Sequence, residues 1–144
     1  MINDIILLKQ GEIVLKGLNR RSFEQKLMSN IKRRLAAIGK FKVYCMQSTV
    51  YIEPVDEISD MDAAFEAMTK VFGLASVNRA AGCEKDAKRI AELAIEYLRD
   101  DMLAAKSFKA EAKRGDKSFP MTSIELAQLV GGELAEAYPD CEVD

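Results

Sequence analysis

The sequence predicts an α+β fold: a β-α-β-β-α-β domain followed by an incomplete α/β domain. Three observations predict it. An unbroken apolar run, Ile5-Ile6-Leu7-Leu8, opens the chain. Two stretches with apolar residues at helical spacing alternate with short β-rich segments up to residue 81. A glycine and a charged run, Gly82 and Glu84–Arg89, then divide that pattern from a second one.

Each element has its own warrant. The Ile5–Leu8 run suits a central strand covered on both faces. Asn19 is placed to cap a helix in which Phe23, Leu27, Ile31, Leu35 and Ile38 make one apolar face, with Gly39 at its end. Phe41, Val43 and Cys45 alternate with Lys42 and Tyr44, which reads as a strand. Gln47-Ser48 connects it to Thr49–Glu53, a β-branched and aromatic strand stopped by Pro54. A helix over 60–72 carries Met61, Phe65, Met68 and Phe72 on one face and ends at Gly73. Ala75–Ala80 reads as the last strand. This order is the ferredoxin-like split-βαβ pattern, an antiparallel sheet with both helices on one face.

The second part begins with a helix over 86–103. Phe108, Ala110 and Ala112 then alternate with Lys109, Glu111 and Lys113, a strand with one wet face. Thr122 and Glu125 have capping-box spacing and open a helix presenting Leu126, Val130, Leu134 and Tyr138. Cys141–Asp144 starts another extended segment. A strand of that length is a poor end for a domain, so a truncated second domain is expected, with residues 1–82 as the first domain and 83–144 as the second.

Composition narrows the chemistry. With 144 residues, 49% hydrophobic and 31% charged, the chain is of globular type. No apolar run approaches the roughly 20 residues of a membrane span, and MINDIILLKQGE is no signal peptide, so a cytoplasmic protein is expected. Histidine is absent, which removes His-based acid–base and triad catalysis. The three cysteines, Cys45, Cys83 and Cys141, form no CxxC, so neither a disulfide framework nor a zinc site is expected. Cys45 and Cys83 read as small buried hydrophobes. No catalytic residue and no metal ligand is assigned.

Charge is unevenly distributed although the net is only −2. Residues 1–43 hold ten Lys/Arg against three Asp/Glu, and residues 105–120 hold five against two. Residues 44–104 hold six against twelve, and residues 121–144 hold none against six. Two basic islands in an acidic background suit a protein that offers phosphate-binding surface on selected faces. Ordinary solvated helix faces would give the same count.

Within those islands some residues stand out. Lys113, Arg114 and Lys117 crowd a loop with Gly115 between strand and helix, where backbone can approach a phosphate. Gly131 and Gly132 sit inside the following helix, where each costs roughly 1 kcal/mol against Ala. Close helix–sheet packing or close approach of an RNA backbone would each explain them. Lys16, Arg20 and Arg21 cluster near the start of the first helix, whose dipole favours anions. Glu12 reads as a salt-bridge partner for one of them. Lys26, Lys32, Arg33 and Arg34 extend this island. Phe119, Tyr138 and Tyr44 are the candidates for base stacking, with core packing favoured for Tyr44. No glycine-rich nucleotide loop or Walker pattern occurs.

Two blocks carry a resemblance. GEIVLKGLNRRSF, residues 11–23, resembles the N-terminal pattern of bacterial tRNA 4-thiouridine synthetases (tRNA sulfurtransferases). FKAEAKRGDKSF followed by TSIELAQLVGGELAE resembles the RNA-binding THUMP domain of the same proteins. The resemblance implies that 113–117 and the next helix hold the 3′ CCA end of tRNA, and that the first island meets the acceptor stem. It implies an enzyme that adenylates a tRNA uridine with ATP and Mg²⁺ and then installs persulfide sulfur from a donor such as a cysteine desulfurase. The same family can feed sulfur into thiamine thiazole synthesis. The SGGxDS loop that binds ATP in this family is absent here, and the persulfide cysteine is implied further downstream, so this chain would contribute tRNA docking alone, with no cofactor of its own. THUMP domains also accompany methyltransferase, deaminase and pseudouridine synthase domains, an alternative the first block disfavours. A stand-alone ferredoxin-like interaction module is the second alternative.

Overall fold

The computed structural model describes residues 3–11, 20–46 and 48–144. They fall into two compact units, 3–80 and 81–144.

The first unit runs β1 (Asn3–Gln10), α1 (Arg20–Ala36), β2 (Phe41–Met46), β3 (Thr49–Pro54), α2 (Met61–Met68) and β4 (Leu74–Gly82). The sheet order is β2-β3-β1-β4, which puts the apolar strand β1 inside the sheet. β1 and β2 both pair antiparallel with β3, through Ile6 opposite Ile52 and Val43 opposite Ile52. Alternation along the strands sends Ile6, Leu8, Val50 and Ile52 to one face, where they are fully buried. Leu27, Ile31 and Leu35 of α1 and Met61, Ala64 and Met68 of α2 join the same cluster, so both helices cover that face, as the sequence predicts. The helix starts and stops have local causes. Asp60 caps α2 by accepting from the Ala63 N–H at 3.0 Å. Gly73 takes φ 97° after α2, a backbone conformation few other residues tolerate. Arg79 on β4 ties Asp4 on β1 to Asp62 on α2, the latter at 2.7 Å.

Two expectations for this unit fail. Phe72 does not extend the apolar face of α2: the helix ends at Met68, and Phe72 lies in the following turn, 85% exposed. Cys45 is exposed, and so is Cys83, the residue after β4, in the second unit. Cys45 falls near the end of β2, an edge strand, past Phe41 and Val43, which pack against the core. Tyr44 is half-buried: its ring stacks on Tyr51, centroids 5.1 Å apart, and its hydroxyl donates to Glu53 at 3.0 Å.

The second unit contains α3 (Ala87–Tyr97), α4 (Arg99–Ala104), β5 (Ser107–Phe108), α5 (Ser123–Ala137) and β6 (Glu142–Val143). The single helix expected over 86–103 is two, because Leu98 leaves helical geometry at φ −94°, ψ 10°. The strand expected to reach Ala112 stops at Phe108. It pairs in parallel with β6 through only two residues, so nothing among the described residues extends the ladder further. The Thr122 cap is present: its hydroxyl accepts from the Glu125 N–H at 3.2 Å, while the Glu125 carboxylate accepts from that hydroxyl at 3.1 Å rather than from the Thr122 N–H of a full capping box. Met102, Leu134 and Cys141 form the buried centre, flanked by Leu98, Phe108 and Val130.

Candidate nucleic-acid interface

The second basic island lies in the loop between β5 and α5. The three cations singled out there, Lys113, Arg114 and Lys117, differ in what they face. Arg114 is exposed but folds back on its own loop: its Nη1 donates to the carbonyls of Phe119 at 3.4 Å and Met121 at 3.3 Å. Lys113 and Lys117 are exposed, and no described carboxylate lies within ion-pair reach of either. Asp116 sits between them, and its carboxylate accepts from the Ser118 hydroxyl at 2.6 Å, from the Ser118 N–H at 3.0 Å and from Lys85 Nζ at 3.1 Å. The Ser118 hydroxyl first, then its N–H, then Lys85 hold the Asp116 carboxyl down to about 2. The Phe119 N–H closes the turn on the Asp116 carbonyl at 3.2 Å. Sequence reasoning missed Asp116, Ser118 and Lys85. The Asp-x-Ser spacing is a signal for such a turn, because an aspartate side chain readily accepts from the N–H two residues on.

The paired glycines separate. A methyl on Gly131 would lie 3.2 Å from the Ala110 Cβ, so this glycine lets α5 pack closely against residue 110. A methyl on Gly132 would meet nothing within 4 Å, and the residue is exposed. Gly115 is likewise open on its Cα side. Of the stacking candidates here, Tyr138 is committed to the core, with its hydroxyl on the Ile95 carbonyl. Phe119 is half-buried.

The first island is described in part. Lys16, Glu12 and the Asn19 cap lie outside the described residues, and so does the side chain of Arg20, the first residue of α1. Arg21, Lys26, Lys32, Arg33 and Arg34 are exposed along α1. Asn30 Oδ1 accepts from both Arg33 and Arg34 at 3.1 Å. Ser22, Gln25, Lys26, Ser29, Asn30 and Arg33 line a shallow groove of about 370 Å³. Among the described residues no group of three His, Cys, Asp or Glu could hold a metal ion. No described helix is long and apolar enough to cross a membrane.

A βαββαβ unit followed by a basic-loop unit defines a class, and comparison with known families identifies it. Residues 5–78 match the ThiI ferredoxin-like domain and residues 84–144 match the THUMP domain. The chain belongs to the family of tRNA 4-thiouridine synthetases, the tRNA sulfurtransferases. It is 42% identical over 142 residues to a protein of Acetivibrio thermocellus named "Probable tRNA sulfurtransferase", covering 97% of this chain and 36% of that protein. A protein of the same name from Alkaliphilus oremlandii is 40% identical, with 99% and 37% covered. The chain thus spans about a third of the length of these relatives. A solved 4-thiouridine synthetase in complex with RNA and bound ATP shares the fold at TM-score 0.80 and 23% identity, with 99% of this chain and 35% of that one covered. A solved protein of Pyrococcus horikoshii shares it at TM-score 0.76 and 24% identity, with 98% and 47% covered.

Proposed function

We propose that this chain is the tRNA-docking region of a tRNA sulfurtransferase that makes 4-thiouridine. The observation that carries the reading is the loop 113–119 in the THUMP unit: two exposed cations with no acidic partner among the described residues, Lys113 and Lys117, held on a braced turn. The loop and the open flank of α5 at Gly132 receive the single-stranded 3′ CCA end, while Lys16, Arg20 and Arg21 meet phosphates of the acceptor stem. Arg114 shapes the same loop, and Gly131 sets how closely α5 packs beside it. Phosphate contacts fix position without reading sequence, so selectivity would come from tRNA shape and its free end.

Uridine adenylation with ATP and Mg²⁺, and transfer of persulfide sulfur from a donor such as a cysteine desulfurase, are assigned in this reading to the rest of the larger protein. Supply of sulfur for thiazole synthesis and a cytoplasmic location follow from the same assignment. The bound ATP and RNA of the solved 4-thiouridine synthetase support it.

The test is tRNA binding by the Lys113→Ala/Lys117→Ala double variant across a salt series. Two lost contacts to a single-stranded end lower the salt slope by about 1.4, at roughly 0.7 per phosphate. An unchanged affinity and slope in a folded variant would remove the loop from the interface.

A further inference from the structure

An acid in the middle of an anion-binding loop is an anomaly. Coulomb repulsion between Asp116 and a phosphate opposes binding. The geometry indicates what offsets it. Asp116 fastens the turn to Ser118 by both backbone and hydroxyl, and fastens the loop to Lys85, the residue before the Asp86 cap of α3. From the other side of the loop, Arg114 bridges the carbonyls of Phe119 and Met121. Residues 114–121 are thereby held at both ends, and Lys113 and Lys117 stay exposed.

We infer that Asp116 is a positioning residue for the RNA contact: through Ser118 and Lys85 it fixes the turn that presents Lys113 and Lys117. This rests on the reading of the loop as an RNA contact. Ordering a loop before binding spares the complex that cost, which for each rotamer-rich side chain is roughly a two- to tenfold factor in affinity.

The sign of one substitution tests it. Asp116→Ala removes a negative charge from the loop, so charge alone would tighten binding to a tRNA transcript. Positioning predicts the opposite, a weakening of about two- to tenfold. Asp116→Asn keeps an acceptor for Ser118 and loses only the charge toward Lys85, so it falls between Asp116→Ala and the parent chain. A stability role alone would move the melting temperature and leave the affinity of the folded protein unchanged. Tighter or unchanged binding by folded Asp116→Ala overturns the inference while leaving the loop as an RNA contact. If Asp116→Ala does not fold, Asp116→Asn decides by the same sign. Full affinity in Lys113→Ala/Lys117→Ala removes the loop from the RNA interface, and the inference with it.

Discussion

The two units solve the problem of building a core in different ways. In the first, eleven buried hydrophobic residues from two strands, two helices and the turn after α2 form one cluster. In the second, three buried residues are ringed by half-buried ones. The difference is one of division of labour. The described residues of 3–80 rest on one dense core, whereas residues 81–144 rely on caps, a turn brace and helix pairing around a smaller one, and carry an exposed polar loop.

Truncations in the two cores break or sharpen this contrast. Ile52→Ala, at a fully buried site on β3, is expected to cost at the upper end of about 2–5 kcal/mol. Leu134→Ala, at a site whose neighbours are half exposed and can relax, is expected at the lower end of that range. Chemical denaturation measures both, and equal losses would mean that the second core is as tightly built as the first.

A smaller effect separates the two glycines of α5. Gly132→Ala meets no atom, so it gains up to about 1 kcal/mol of helix stability while weakening tRNA binding. Gly131→Ala must displace Ala110, whose short side chain cannot swing away, so its gain is smaller or becomes a loss. A greater melting temperature for Gly131→Ala than for Gly132→Ala would contradict the packing difference.

The smallest effect is that of pH on the loop. Asp116 titrates at about 2 when folded, below the ordinary carboxylate value of about 3.9. Its contribution to stability is therefore complete above the unfolded value and is lost as pH falls through the folded one. NMR titration of the Asp116 carboxyl should show a midpoint near 2 and no change between pH 5 and 8. A midpoint near 4 would mean that the brace is not formed in solution.

The sequence was most legible where one interaction dominates. The β1 run, the α1 stripe from Phe23 to Leu35 and the Thr122 cap each express a local rule, and the structure contains them, although α1 ends at Ala36 and leaves the expected Ile38 outside the helix. It was misleading where a period outlasts its element. The i, i+4 spacing continues from Met68 to Phe72, but the chain must turn into β4 through the positive φ of Gly73, and Phe72 is left in solvent. Likewise Phe108, Ala110 and Ala112 keep a strand's alternation without a described neighbour to pair with beyond Phe108. In the site, cation positions were readable but side-chain directions were not. Arg114 and Lys113 are adjacent and alike in charge, yet only Arg114 finds carbonyls within reach.

The stacked pair on the sheet makes the molecule its own reporter. The chain has four tyrosines and no tryptophan. Tyr44 and Tyr51 lie ring on ring on neighbouring strands of the first unit, 6° from parallel, while Tyr97 and Tyr138 belong to the second. The stacked, near-parallel rings of Tyr44 and Tyr51 give the first unit a near-ultraviolet dichroism signal of its own. Unfolding of the first unit can therefore be followed by light alone, with no label attached.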